Sequence, residues 1–300
     1  MKKIVLYVLL LCPVISFCQP KEWYTSLDAA KRLAVIQNKM VLMMWEESAS
    51  FAFPVIVNST DGRPVYIKDM FENEYVSDLI WEFFIPVKVS ESNYADMIEA
   101  VEANRNQRYK DKFNDDSMKV LDANGNILNT SNVNDDFSFN ISKFIQKYGL
   151  NTSYLKDELQ NYSKLKDYYS TYRLASKYIH YASYVQKNLR KEIIDLSTIY
   201  LDEAGRALME NTSENKQSYL QQIELLKLKQ SLVLNKPRRV LRLLKKIDAN
   251  EIAEFNESLV SFLNYTAFGL LKDEKNTSLW RTKLSLVNLK KANQIINSNL

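Results

Sequence analysis

Five glycines are spread over 300 residues. Glycine supplies positive-φ turns, phosphate-cradling loops and flexible spacers. A chain this poor in it has little means to build a nucleotide-binding glycine loop, an all-β sandwich or a long flexible linker. A largely helical chain is left, with strands only where turn residues do occur. The hydrophobic share of 46% is ordinary for a globular protein and sufficient for real cores.

The first residues read as a leader. Met1-Lys2-Lys3 is a positive start, and Ile4 to Ile15 is an apolar run of roughly a dozen residues, too short to span a membrane core of about 30 Å. Ser16 and Cys18 flank Phe17 and give the small side chains a signal peptidase needs before a cut ahead of Gln19. Phe17 directly before Cys18 disfavours lipidation. A signal peptide over 1–18 is expected, and with it an exported chain, periplasmic or secreted, with no transmembrane segment. Cys12 and Cys18 are the only cysteines, so the mature chain offers no thiolate and forms no internal disulfide. The net charge of +4 includes both leader lysines. Mild basicity gives no reason to expect nucleic acid as a partner.

About 280 remaining residues suit one large or two modest domains. A capped helix is expected over 25–37, an apolar strand over 40–45, then an irregular stretch with Pro54 and the turn Asp61-Gly62-Arg63-Pro64. A helix over 73–82 leads to a strand over 83–89, where Pro86 suggests a strand end or sheet edge. Another helix is expected over 93–104. Asn124-Gly125 between two apolar runs predicts a tight hairpin over 118–128 with positive φ at its turn. A helix over 137–148 should end at Gly149 as a left-handed cap. From 150 the strand signals vanish. Amphipathic stretches follow near 152–168, 169–188, 189–210, 215–235, 237–247, 251–271 and 276–298, with a break at Asn211-Thr212-Ser213. They suggest helical hairpins stacked as a bundle or short solenoid. The expected division is therefore a mixed α/β domain over 19–149 and an all-helical domain over 150–300.

Trp23, the helix over 25–37, Lys39, the strands over 40–45 and 84–89, and Asp122-Ala123-Asn124-Gly125-Asn126-Ile127 occur in one order. In that order the chain resembles exported bacterial thioredoxin-like proteins over about residues 22–148. The resemblance implies an α/β thioredoxin-like sandwich. The family places a Cys-x-x-Cys pair behind the first strand and a cis-proline before the strand at 118–122. Aligned from Lys39, the cysteine positions fall on Ser50 and Phe53, and Asp115-Asp116-Ser117 stands where the proline would be. Ser50, Phe53 and Ser117 are thus degenerate redox positions. A serine hydroxyl cannot replace a thiolate that must both attack and leave. The resemblance withdraws disulfide exchange and leaves a non-enzymatic, cofactor-free module that binds a protein or peptide, or scaffolds, in the bacterial envelope. Its candidate rim is Trp45, Glu46, Glu47, Phe51, Asp115 and Asp116, facing a groove toward loop 113–117; the helical surface is the other candidate.

The alternative uses the carboxylates. Glu46, Glu47, Asp115 and Asp116, converging on one rim, would suit Ca²⁺ or an acid–base pair for hydrolysis; otherwise they are solvated loop charges. His180, the only histidine, lies among Tyr178, Tyr181 and Tyr184 with no nucleophile or orienting carboxylate in sequence. One histidine without mature cysteine leaves no zinc set. The basic stretch 236–247 is either a packed helix with a wet charged face or a membrane-surface helix. Burial of Val240, Leu241, Leu244 and Ile247 decides between the two.

Overall fold

The computed structural model describes residues 21–131, 139–210 and 215–300. The leader, the break at 211–213 and the first two residues of the helix expected over 137–148 lie outside the described residues.

Ser26 caps α1 (Leu27–Gln37) by accepting the Ala29 N–H, and Asn38 ends the helix in the left-handed region. The chain turns directly into β1 (Met40–Trp45), all six residues of which are buried. The stretch expected to be irregular holds a hairpin, β2 (Val55–Asn58) and β3 (Pro64–Ile67), joined through Gly62 at φ 81°. α2 (Glu74–Phe83) then runs into β4 (Phe84–Val89), which pairs in parallel with β1 from Met40↔Phe84 to Trp45↔Val89. Pro86 lies opposite Leu42 on the outermost strand of its sheet, where a missing N–H costs least. After α3 (Tyr94–Asn104) comes a helix that the sequence did not announce, α4 (Gln107–Asn114). β5 (Lys119–Leu121) and β6 (Ile127–Thr130) follow, antiparallel to each other, with β5 antiparallel to β1.

The four-stranded sheet has the order β4-β1-β5-β6, and a second sheet has the order β3-β2-β7, where β7 is Phe139–Asn140. The β5–β6 connection is looser than the expected tight turn. It runs over 122–126, and only Gly125 has a positive φ, 89°. Gly149, which closes α5 (Ile141–Tyr148), also differs from expectation. Its φ is −71°, so left-handedness is not why glycine stands there. An added Cβ would lie 2.8 Å from the Ile145 carbonyl oxygen and 3.0 Å from the Phe83 ring, so the position requires the absence of a side chain.

From 150 onward the chain is helical: α6 (Lys156–Lys164), α7 (Tyr168–Tyr181), α8 (Arg190–Glu210), α9 (Lys216–Val233), α10 (Pro237–Leu244), α11 (Glu257–Leu270), α12 (Glu274–Arg281) and α13 (Leu286–Asn299). The single stretch expected over 276–298 is two helices, because Ser285 caps a new start at the Asn288 N–H. Neighbours in sequence pack together from α6 to α12, and α9 also packs against α7, α11 and α13, so these helices form one packed helical part. Pro237 occupies the first turn of α10, and Val240 and Leu244 on that helix are buried with Leu241 and Ile247 packed beside them. The basic stretch is therefore a packed helix, and its apolar face has no free side to lay on a membrane. Among the described residues no helix is long and apolar enough to cross a membrane.

Buried side chains form one continuous core that passes from the sheets into the bundle. The expected boundary near 149 separates two kinds of secondary structure but not two cores.

Candidate functional site

The predicted rim begins at the end of β1. Trp45 is buried there, its ring 5.9 Å from both Phe113 and Tyr94. Beside it stands Lys119, opposite Met43 across the β1–β5 pair and fully shielded from solvent. Its ammonium lies 5.5 Å from the Trp45 ring centre and donates to the carbonyls of Asp115 and Ser117. Burial pulls the Lys119 pKa down to about 8, against the pull of Asp115 and Asp116 in the other direction. Trp45 and the 113–119 segment do meet, as the resemblance requires. The tryptophan, however, is a core residue and not an exposed contact.

The other rim residues scatter. Glu46 and Glu47 are exposed; the Glu46 N–H donates to Val89 O and the Glu47 N–H to the Glu91 carboxylate. Ser50 donates its hydroxyl to the Glu46 carbonyl at 3.0 Å, which closes the short 3₁₀ turn Ser48–Ser50. Phe51 follows, 75% exposed. Phe53 turns to the second sheet, edge-on to Phe139. The Asp115 carboxylate accepts the Ser117 N–H at 2.8 Å, and Asp116 is exposed. The contacts of Ser50, Phe53 and Ser117 therefore lie in three places. No metal site forms from these carboxylates: among the described residues no group of three or more His, Cys, Asp or Glu is placed to hold a metal ion.

His180 is buried in the bundle, its Nδ1 hydrogen-bonded to the Tyr154 hydroxyl. Burial first, then Lys229, Lys291 and Lys177, push its pKa down to about 3. A neutral imidazole held in this way is a packing group.

The most connected polar residue is one that sequence reasoning took only for a turn former. Asp122 is wholly buried where the β5–β6 loop meets the bundle. Its Oδ1 accepts the N–H groups of Asn124 and Asn126 at 2.9 Å each, and its Oδ2 accepts the hydroxyls of Tyr178, at 3.2 Å, and Tyr200. The two tyrosine rings stack at 5.4 Å. Tyr200 in turn accepts from the side-chain amides of Asn124 and Asn126. Burial pushes the Asp122 pKa up, and its hydrogen bonds pull it back. Arg105 flanks this cluster, bound to Asn126 at 2.8 Å and Glu203 at 3.0 Å, and Glu203 also accepts the Tyr162 hydroxyl.

Open space surrounds the same junction. A cavity of about 260 Å³ lies between the sheet and α3–α4, lined in part by Met43, Met97, Phe113 and Lys119. A groove of about 550 Å³ lies between α1, the β5–β6 loop and α6. Among known proteins no family model, no curated protein and no solved structure gives a significant match to this chain.

Proposed function

We propose that this is an exported thioredoxin-like protein that works by contact with another protein and not by disulfide exchange. The element order supports the thioredoxin-like part of the reading. α1, β1, α2, β4, the β5–β6 hairpin and α5 occur in the order the resemblance leads one to expect, with β2–β3 and α3–α4 inserted between them and with β4, β1, β5 and β6 in one sheet. One observation carries the non-redox part: no cysteine follows Cys18, so the positions that alignment from Lys39 assigns to the thiol pair carry Ser50 and Phe53. The strand that would lead into a reactive helix instead ends in a 3₁₀ turn presenting Phe51 to solvent. The exposed ring beyond that turn offers a partner the kind of aromatic surface in which interfaces are enriched.

The test has two arms on the mature chain. In an insulin-reduction assay it should match the no-enzyme control. A photo-crosslinking amino acid placed at Phe51, and in parallel at the exposed Leu279 of α12, should capture a discrete adduct from an exporting bacterium. Reduction of insulin, or no adduct from either position, overturns the reading.

A further inference from the structure

We infer that the groove between α1 and α6 is a docking surface for an acidic peptide segment that carries an apolar side chain. The inference rests on the reading that the protein acts by contact, but not on the choice of the Phe51 rim.

The groove's floor is Ala123 and Asn124, in the loop that Asp122 fixes to the bundle, so it is held in place before any ligand arrives. Val35 and Ile36 on α1 form an apolar wall, and Ile36 is 64% exposed. The groove's volume of about 550 Å³ falls within the roughly 300–1,000 Å³ of ordinary ligand sites. Lys31 and Arg32 stand on one side of it and Lys164 and Lys166 on the other. Asp28 is the one acid in the lining, and it is already bound to Lys31 at 2.6 Å. Among the described residues Arg32, Lys164 and Lys166 have no carboxylate within 4.0 Å. A concave apolar wall flanked by four cations and one carboxylate carries a net positive charge complementary to an acidic chain with an apolar anchor. The cations steer and orient it, and the anchor gains from burial against Ile36. No aromatic ring lines the groove to stack a nucleobase, and its concavity does not suit a flat lipid surface.

The probe is a fluorescein-labelled synthetic peptide of about eight residues in which Asp and Glu alternate with Leu, titrated with the mature chain by fluorescence anisotropy. Binding should fall at least tenfold in Arg32→Glu/Lys164→Glu and severalfold in Ile36→Ser. It should hold in Lys245→Glu/Lys246→Glu, which makes the same charge change on an exposed surface elsewhere. Raised salt should weaken binding, because exposed pairs are screened over about 8 Å at physiological ionic strength. Far-UV circular dichroism confirms that each variant is folded. The inference is overturned if the native chain does not bind the peptide, or if the groove variants bind like the parent. It is equally overturned if an Asn/Gln version of the peptide binds as well, or if a thymidine oligonucleotide or an anionic phosphatidylglycerol vesicle binds more tightly. Where the Phe51 cross-link forms but the groove fails these tests, the contact reading stands and only the groove is lost.

Discussion

The hydroxyl of Tyr200 donates a hydrogen bond to the buried carboxylate of Asp122 from 78 residues further along the chain. Tyr178 does the same from α7, so one loop of the sheet is tied into two helices of the bundle. Taking a carboxylate out of water is costly, and only a full set of donors offsets the cost. The two loop N–H groups and the two phenols make up that set.

Asp122→Ala removes the acceptor and leaves four donors facing a void. It should destabilise the protein by about 2–4 kcal/mol. Tyr200→Phe keeps the ring stack but deletes the donor to Asp122 and the acceptor of the Asn124 and Asn126 amides, and should cost about 1–3 kcal/mol. Urea unfolding followed by tyrosine fluorescence and by circular dichroism measures both. Equal stability of Asp122→Ala and the parent would mean that the network holds nothing together.

Acid should weaken the fold through His180. Its folded pKa of about 3 lies below its unfolded value of about 6.5, so below pH 6.5 the unfolded chain takes up a proton that the buried ring refuses. The contribution is complete above pH 6.5 and is lost as pH falls through the folded value. It amounts to about 3–5 kcal/mol at the limit. Asp122 acts in the opposite sense, since its raised pKa favours the folded state in acid and the gain fades as pH rises. The comparison is therefore made against His180→Gln, whose unfolding free energy should fall less between pH 7 and pH 4.5.

Lys119 predicts a rise on the alkaline side. With a folded pKa of about 8 and an ordinary value of 10.5, it carries a poorly hydrated charge at neutral pH. Its contribution is full above pH 10.5 and is lost as pH falls through 8. Buried Lys229, also held at about 8, adds to the same slope. Lys119→Met should flatten the gain in unfolding free energy between pH 7 and pH 9.5, and at pH 7 should be neutral or stabilising by about 1–2 kcal/mol.

Gly149→Ala tests close approach against backbone conformation. Its φ of −71° suits alanine, so a conformational account predicts no loss. The 2.8 Å clash with the Ile145 carbonyl predicts about 1–3 kcal/mol of destabilisation, read as a fall in Tm.

What could be read from the sequence was local. The capped helix after Thr25, the six-residue buried strand and the place of the β5–β6 hairpin follow from side chains within a few positions of one another. The helix α4 escaped because Gln107 to Asn114 is almost wholly polar, anchored by only Tyr109 and Phe113 one turn apart. The β2–β3 hairpin escaped because Pro64, Val65 and Tyr66 are exposed and show no apolar alternation. For the site, the strand tip and its facing loop were legible. The burial of Trp45 and the failure of the carboxylates to group as metal ligands were not. Asp122 reads as a turn cap from Gly125 alone, but its tyrosine partners come from another layer, and no local pattern announces them.

A ribosome delivers this chain from its N-terminus, so every described strand of both sheets is synthesised before Tyr178 and Tyr200. Until then the Asp122 carboxylate has no phenol to meet, and the apolar wall the bundle will cover stays wet. A chain cut before Tyr178 would keep the described strands but leave that carboxylate without either phenol donor.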